Sequence, residues 1–571
     1  MKGAISGIML IALLIGMLVL VFNIQLVKAS GTIYIRADGS IEPSTANITS
    51  VDNVTYTFTG NINDHIVVER DNIVVDGAGY SMEGTASGTA IDLSYRFNVT
   101  VKRVSISNFA CGIALYYSSN NEIAENYMKD NLFAILLNYG SNNSISGNAF
   151  SGGSKCDVGL YDSLGNDISG NNMTFTGVYS IYLSNSSSNA ISGNIMTYCR
   201  NGIYLENSSN NNVIFGNSIK YGSGIYLQES SNNTISENTI TAWSGSSSYD
   251  GVKFVESSNN TVSGNTITTK ESDGVTLFQS SNNTVSGNTI TTERVCISLG
   301  SSSGNTIVQN NIKKGDYGIC SSFSYNNMIY HNNIMDITWS QAIDNGNNAW
   351  DNGYPSGGNY WSNYNGTDFY SGPYQNETGS DGIGDVPYVI NADNVDHYPL
   401  MEPWLPPDVA VSNATPSKII VGRGCSLNVT SILVNQGNKI ENLNMIVHAN
   451  ETIIAFQNFL LRSDNSLIYT FTWNTSDFTY GNYTISIYVE PIPGETDTED
   501  NIYITSVLVT IPGDVDGDFD VDIYDVVKIA CIYGSVKGDP EFNPNCDLDN
   551  DGEITIYDIV MCANNYGETY P

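Results

Sequence analysis

Ser258-Asn-Asn-Thr-Val-Ser-Gly-Asn265-Thr-Ile is followed by Ser281-Asn-Asn-Thr-Val-Ser-Gly-Asn288-Thr-Ile and preceded by Ser231-Asn-Asn-Thr-Ile-Ser-Glu-Asn238-Thr-Ile. Weaker copies put the same asparagine at Asn126, Asn148, Asn171, Asn194, Asn217, Asn310 and Asn332. The spacing is mostly about 22–23 residues, a solenoid period. A second phrase lies between copies: Gly202-Ile-Tyr-Leu, Gly224-Ile-Tyr-Leu, Gly251-Val-Lys-Phe and Gly274-Val-Thr-Leu. Apolar and polar residues alternate within each copy, as in Thr284-Val285-Ser286, and Gly-Asn punctuates the runs. That reads as strand, turn, strand. The leucines that a leucine-rich repeat needs at fixed offsets are absent. The pattern predicts a coil of short strands, one turn per repeat, with Ile, Val and Leu inward. Neighbouring coils then pair as parallel strands about 4.8 Å apart. The repeated asparagine either stacks from coil to coil and bonds buried backbone, or stands at a surface turn. Its recurrence in nearly every coil favours the internal ladder.

Over about residues 31–345 these phrases resemble the right-handed parallel β-helix repeat family. That family includes the nitrous-oxide-reductase accessory proteins labelled periplasmic copper-binding, and carbohydrate-binding and sugar-hydrolase β-helices. Gly31-Thr-Ile-Tyr-Ile-Arg-Ala-Asp-Gly-Ser and Asp71-Asn-Ile-Val-Val-Asp-Gly-Ala-Gly-Tyr look like its opening coils. From Asn347 the repeat stops. Trp350, Tyr354, Gly357-Gly-Asn-Tyr-Trp361 and Tyr364 lead into Gly379-Ser-Asp-Gly-Ile-Gly-Asp385-Val-Pro-Tyr. Residues 346–402 are similar to the tail that closes such helices, and an uncapped coil would expose a strand edge.

Before the repeats, residues 1–29 read as a secretory signal: Met1-Lys2, an apolar run from Ile8 to Phe22, then Val27-Lys28-Ala29 before Ser30. An uncleaved anchor helix is the other reading of that run. No second apolar stretch of spanning length follows, so no membrane span is expected once the signal is removed. The expected location is secreted and cell-surface associated. The chain carries 58 acidic against 22 basic residues, which repels nucleic acid and attracts divalent cations. Export would make sequons such as Asn47-Ile-Thr and Asn98-Val-Thr glycosylation acceptors. The nine cysteines form no CxxC pair; one bridge among Cys531, Cys546 and Cys562 is compatible with their clustering, and the rest read as buried thiols.

Residues 403–407 form a proline-rich linker. Short alternating strands over residues 408–511, such as Tyr483-Thr-Ile-Ser-Ile-Tyr-Val, suit a seven-strand, Ig-like sandwich. Val434-Asn-Gln-Gly and Thr498-Glu-Asp-Asn resemble the cell-adhesion-related (CARDB) domain, which implies a spacer or adhesive module.

Residues 512–571 carry the sharpest chemistry. Loop one offers Asp514, Asp516, Asp518, Asp520, Asp522 and Asp525; loop two offers Asp547, Asp549, Asp551, Glu553, Thr555 and Asp558. Carboxylates at positions 1, 3, 5 and 12 of a twelve-residue loop, with a carbonyl at 7 and water at 9, are what Ca²⁺ requires. A helical pattern follows each loop. Two such loops about 33 residues apart, without the entering helix of a full EF-hand, resemble a dockerin, a small α-helical module. The resemblance implies a cohesin-bearing scaffold protein as partner, met by Ile523, Tyr524, Ile556 and Tyr557. A core contact between the two helices is the other reading of these pairs. Phe519 stands where loop one would have glycine.

Three further candidates remain. Tyr182, Tyr204 and Tyr226 recur on successive coils and form a strip for polysaccharide, or are outward tyrosines chosen for strand propensity. Asp250 and Asp273 each precede the glycine of the second phrase, so they stack; they are catalytic candidates for a glycoside hydrolase or polysaccharide lyase, or solvated bends. Asp381, Asp385, Asp393 and Asp396 match no complete ion loop. Copper is not expected, because His65, His331, His397 and His448 have no clustered soft partners. The sequence favours a non-catalytic binding or scaffold protein over an enzyme or a structural surface protein.

Overall fold

The computed structural model describes residues 31–242, 250–437, 441–462, 465–495 and 497–570. The leader read at 1–29 lies outside them. The chain divides into two compact units, Met1–Pro403 and Trp404–Pro571.

The first unit is a parallel β-solenoid of three sheets, with fifteen, thirteen and fifteen strands. From Ser81 onward each repeating coil contributes a strand to each sheet and neighbours pair in parallel, whereas Ile41–Glu42 and Ile48–Thr49 at the start pair antiparallel. Ile181, Ile203 and Ile225 align in the first sheet, and Ile235, Val262 and Val285 in another. The strand pattern buries every second residue, and these aliphatic columns form one continuous core. All the repeated asparagines are buried. The N–H and Nδ2 of Asn265 both donate to Oδ1 of Asn288 at 2.9 Å, and its Nδ2 also donates to the carbonyl of Ile235 at 2.9 Å. A tight bend thereby keeps its backbone groups paired without water.

A second ladder runs beside it, from Asn121 through Asn260 and Asn283 to Asn348, and a serine column through Ser257 and Ser280 accompanies it. The structure also shifts one boundary. Asn347–Ala349 and Tyr360–Trp361, in the segment read as a cap, are the last strands of two sheets. Their asparagines Asn348 and Asn359 continue both ladders, although the surrounding phrase no longer matches the repeat.

The second unit opens with a three-stranded and a five-stranded sheet that share one core containing Leu433, Val447, Trp473 and Ile487. The short strand Ile420–Gly422 brings the count above the seven expected. Two helices follow, Ile523–Cys531 and Ile556–Ala563, around Val521, Ile529, Ile554 and Cys562. This small module is bound to the sheets: Lys418 Nζ donates to the carbonyl of Asp547, and Asn545 Oδ1 accepts from the amides of Ile419 and Ile420 at 3.1 and 3.2 Å. All nine cysteines are free thiols, so Cys531, Cys546 and Cys562 form no bridge here.

Candidate functional site

Tyr182, Tyr204 and Tyr226 stand in register on adjacent strands and point out of the first sheet, half-buried. Tyr204 and Tyr226 stack at 4.7 Å and Tyr182 and Tyr204 at 6.0 Å. Tyr161 and Tyr179 pack against Tyr182 at 5.3 and 4.9 Å. The rings therefore cover one another's faces and present edges and hydroxyls outward. Tyr182 donates to Glu206, and Tyr204 to Gln228 Oε1 at 3.2 Å. Burial, first of several causes, raises the pKa of all three phenols, so they remain neutral donors.

The same column continues to Lys253 and Thr276. Beside it the structure brings Asp250 and Asp273 together, as the stacking of their coils implied. Asp250 Oδ1 accepts from the Asp273 amide at 3.3 Å, and Asp250 Oδ2 lies 3.4 Å from Lys253 Nζ. Arg294 Nε is 3.8 Å from Asp273 Oδ1. Burial and then the Asp250 charge push the Asp273 carboxyl above its ordinary value. Thr276 Oγ1 is buried without a hydrogen-bond partner. This is a compact acid–base group at the end of an aromatic face.

Sequence reasoning missed two further aromatic ladders at coil corners. Tyr95, Tyr117 and Tyr139 stack at 5.5 and 4.7 Å, and Phe175, Tyr198 and Tyr221 at 5.2 and 4.8 Å. All six have positive φ, between 52° and 62°. Bulky side chains rarely adopt that region, but here it is the corner geometry of the solenoid, shared by Asp162, Asn185, Glu229 and Gln279 at equivalent positions. The signal was a period of about 22–23 residues, obscured because the same corners elsewhere carry unlike residues, such as Asp162, Asn185, Glu229, Gln279 and Ser301.

The two acidic loops superpose in their bonding. Val515 and Leu548 amides donate to Oδ1 of Asp525 and Asp558 at 2.8 and 2.7 Å. Phe519 and Gly552 amides donate to Oδ2 of Asp514 and Asp547 at 2.9 and 3.1 Å. Asp522 and Thr555 cap the helices through the amides of Tyr524 and Tyr557. Both loops turn left-handed at positions 4 and 6: Gly517 and Phe519 in one, Asn550 and Gly552 in the other. Phe519 thus holds a conformation that glycine takes without strain.

Carboxylate oxygens of Asp514, Asp516 and Asp525, of Asp520, Asp522 and Asp525, and of Asp547, Asp549 and Asp551 gather within 4.8 Å. Asp518 and Glu553 are exposed beside them. Oδ1 atoms of Asp516, Asp520 and Asp547 are buried with no hydrogen-bond partner. An oxygen-only donor set with orphaned carboxylate oxygens fits a hard divalent cation. Ile523, Tyr524, Ile556 and Tyr557 are 52, 67, 51 and 68% exposed, which replaces the reading of a core contact between the helices. Val527 and Val560, one turn further on, are exposed as well.

The acids near the solenoid's end do not gather. Asp385 accepts from the Phe369 and Tyr370 amides, Asp381 from Ile383, and buried Asp396 from Trp361 Nε1. Asp393 is exposed.

The family profile described as "Periplasmic copper-binding protein (NosD)" matches residues 46–242 and 220–366, more than half of the chain. No curated protein matches the chain. Among solved structures, a periplasmic alginate epimerase is 15% identical, covering 53% of this chain and 80% of its own, with a TM-score of 0.35. A mannuronan C-5 epimerase A-module of Azotobacter vinelandii is 16% identical, covering 50% and 88%, with a TM-score of 0.39. The CARDB domain of a Pyrococcus furiosus protein, in complex with di-metal ions, is 20% identical, covering 18% and 94%, with a TM-score of 0.17. The donors in this chain do not fit copper. Among the described residues every metal-type cluster is carboxylate, His65 Nδ1 pairs with the Thr89 carbonyl at 2.6 Å, and His397 pairs with Asp351. Copper sites need converging imidazole or sulfur ligands.

Proposed function

This chain belongs to the periplasmic copper-binding protein (NosD) family, and we propose that it is an exported polysaccharide-binding protein docked through calcium loops. The observation that carries the reading is the tyrosine face of the solenoid. Tyr182, Tyr204 and Tyr226 offer ring edges and hydroxyls at coil spacing, with Glu206 and Gln228 alongside as acceptors. The corner ladders of Tyr95, Tyr117 and Tyr139 and of Phe175, Tyr198 and Tyr221 add further stacked aromatic surface to the solenoid. Sugars are held by such mixtures of apolar ring surface and aligned hydrogen-bonding groups.

The two acidic loops make the C-terminal module a dockerin in this reading. Asp514, Asp516, Asp518 and Asp525 would hold one Ca²⁺, with Asp547, Asp549, Asp551 and Asp558 holding another. The Asp520 and Glu553 positions supply carbonyls, and Asp522 and Thr555 act through water. Calcium would supply the charge that lets these carboxylates converge. The exposed Ile523-Tyr524 and Ile556-Tyr557 pairs then face a cohesin-bearing scaffold, and the protein works outside the cell, at its surface. The sheets between would be a CARDB-type, Ig-like spacer.

A second reading rests on Asp250 and Asp273, whose contact at the end of the tyrosine face suits a glycoside hydrolase or polysaccharide lyase. A glycan-binding titration of the whole chain, run with a reducing-end assay, separates the two. Bound glycan that stays uncut supports the first. Cleavage that disappears in Asp250→Asn with Asp273→Asn supports the second.

A further inference from the structure

Both acidic loops lie directly on the sheets of the second unit. In loop two, Lys418 Nζ donates to the Asp547 carbonyl, and Asn550 Nδ2 donates to the Ser426 carbonyl at 3.1 Å. Just before that loop, Asn545 Oδ1 takes the amides of Ile419 and Ile420 at 3.1 and 3.2 Å. Lys418 is only 5% exposed, so this joint is buried. In loop one, Thr510 Oγ1 at the end of strand Ile502–Thr510 donates to Asp514, and both residues are buried. A Cβ on Gly517 would meet Leu508 Cδ2 at 2.7 Å and Ile420 Cδ1 at 3.2 Å, which shows how closely the loop backbone approaches the strands. Tyr570 packs edge-on against Tyr480 at 4.7 Å. The helical module's own core, around Val521, Ile529 and Ile554, takes in Ile511 at the end of the last strand and packs against Tyr480. A chain of about sixty residues buries too little surface to be more than marginally stable alone.

We propose that the sheets and the helical module form one cooperative folding unit, so that an ion held by the acidic loops stabilises the sheets as well. The ion half of this proposal rests on the calcium reading of the loops; the cooperative half does not. A ligand that binds only the folded site stabilises everything that must unfold with that site. A module joined by a flexible tether would pass none of that stabilisation on. Here the contacts come from separate stretches of the sheets, at Lys418 to Ser426, at Tyr480 and at Leu508 to Thr510, and they reach both loops. The sheets are then more than a spacer: calcium sets the rigidity of the whole unit Trp404–Pro571.

Hydrogen exchange of the full chain tests this, in excess calcium and in EGTA. It is read at strands Ser426–Asn435 and Gly481–Val489 and at helices Ile523–Cys531 and Ile556–Ala563. Calcium at about a hundred times its dissociation constant should slow strands and helices together, by about tenfold or more. Ile554→Ala, in the module's core, should quicken the strands as well as the helices in the calcium buffer. Lys418→Met with Asn545→Ala loosens the joint, and the helices should then keep their response to calcium while that of the strands shrinks. Calorimetry on the same samples reads calcium binding separately. An absence of binding overturns the ion half, and Ile554→Ala then decides the cooperative half alone. Helices that slow with calcium while the strands of the unaltered chain do not would overturn the proposal. So would an Ile554→Ala variant whose helices exchange faster while its strands are unchanged.

Discussion

The amide of Asn359 donates to the buried carboxylate of Asp396 at 2.8 Å, and the same oxygen accepts from Trp361 Nε1 at 2.8 Å. At the end of the other ladder the Asn348 amide donates to Asn394 Oδ1 at 3.2 Å, Asn348 Nδ2 donates to both oxygens of Asp344 at 2.9 Å, and Trp350 Nε1 donates to Asp344 at 2.9 Å. In both ladders the amide N–H and Nδ2 of each asparagine face the next coil. A buried aspartate therefore takes one of the two final donors in each ladder, together with a tryptophan N–H. Asp396→Ala leaves two buried donors unpaired and should destabilise the solenoid's end by about 2–5 kcal/mol. Hydrogen exchange should quicken over residues 347–402 while the early coils stay protected.

Asn265→Ala removes the acceptor of the Asn238 amide and the donor to the Ile235 carbonyl. The expected loss is about 3 kcal/mol, read by chemical denaturation, because both backbone groups are buried. A change within about 0.5 kcal/mol would contradict the ladder's energetic role.

Asp157 is buried in the first unit, where Thr176 Oγ1 donates to it, and burial pushes its carboxyl up to about 7. Its folded value is raised above the unfolded one, so the folded state binds the proton more tightly. This contribution is fully present below about pH 4 and is lost as pH rises toward 7, on the order of 4 kcal/mol in all. Asp157→Asn should reduce the slope of unfolding free energy between pH 4.5 and 8 by its share, while buried Asp396, also pushed up to about 7, keeps its own. An unchanged slope would contradict it.

The repeated phrase made the solenoid legible because it fixes both the strand alternation and the buried asparagine. The second ladder was equally present in it: Asn260 and Asn283 are the second Asn of Ser-Asn-Asn-Thr, yet a doubled Asn reads most simply as a turn. The acidic loops were legible because their acids recur at fixed local offsets in one short stretch each. The aromatic cluster of Trp473, Phe478 and Tyr483 was not, since Trp473 and Tyr483 stand on strands of different sheets that meet only by packing. Nor was the joint of Lys418 with Asp547, which lie 129 residues apart and meet only by packing. The exposure of Tyr524 and Tyr557 depended on which side of each helix faces the shared core, and helical period alone left that open.

On the proposed dockerin reading, the two similarly bonded loops give two equivalent docking faces. Tyr524→Ala alone and Tyr557→Ala alone should each weaken cohesin binding only slightly, while the double variant loses at least about 2 kcal/mol. Isothermal titration at saturating calcium measures this. Abolition by one single variant with normal calcium loading would show that docking is one-sided.

The central claim is that the tyrosine face of the solenoid binds polysaccharide. Its most direct test is the affinity of the intact chain for a panel of insoluble and soluble glycans, compared with Tyr182→Ala, Tyr204→Ala and Tyr226→Ala combined. With folding verified by circular dichroism in both proteins, at least about a tenfold loss of affinity is predicted, equivalent to about 1.4 kcal/mol. Glycan binding that survives unchanged in the triple variant, or no binding by the unaltered face, would contradict it.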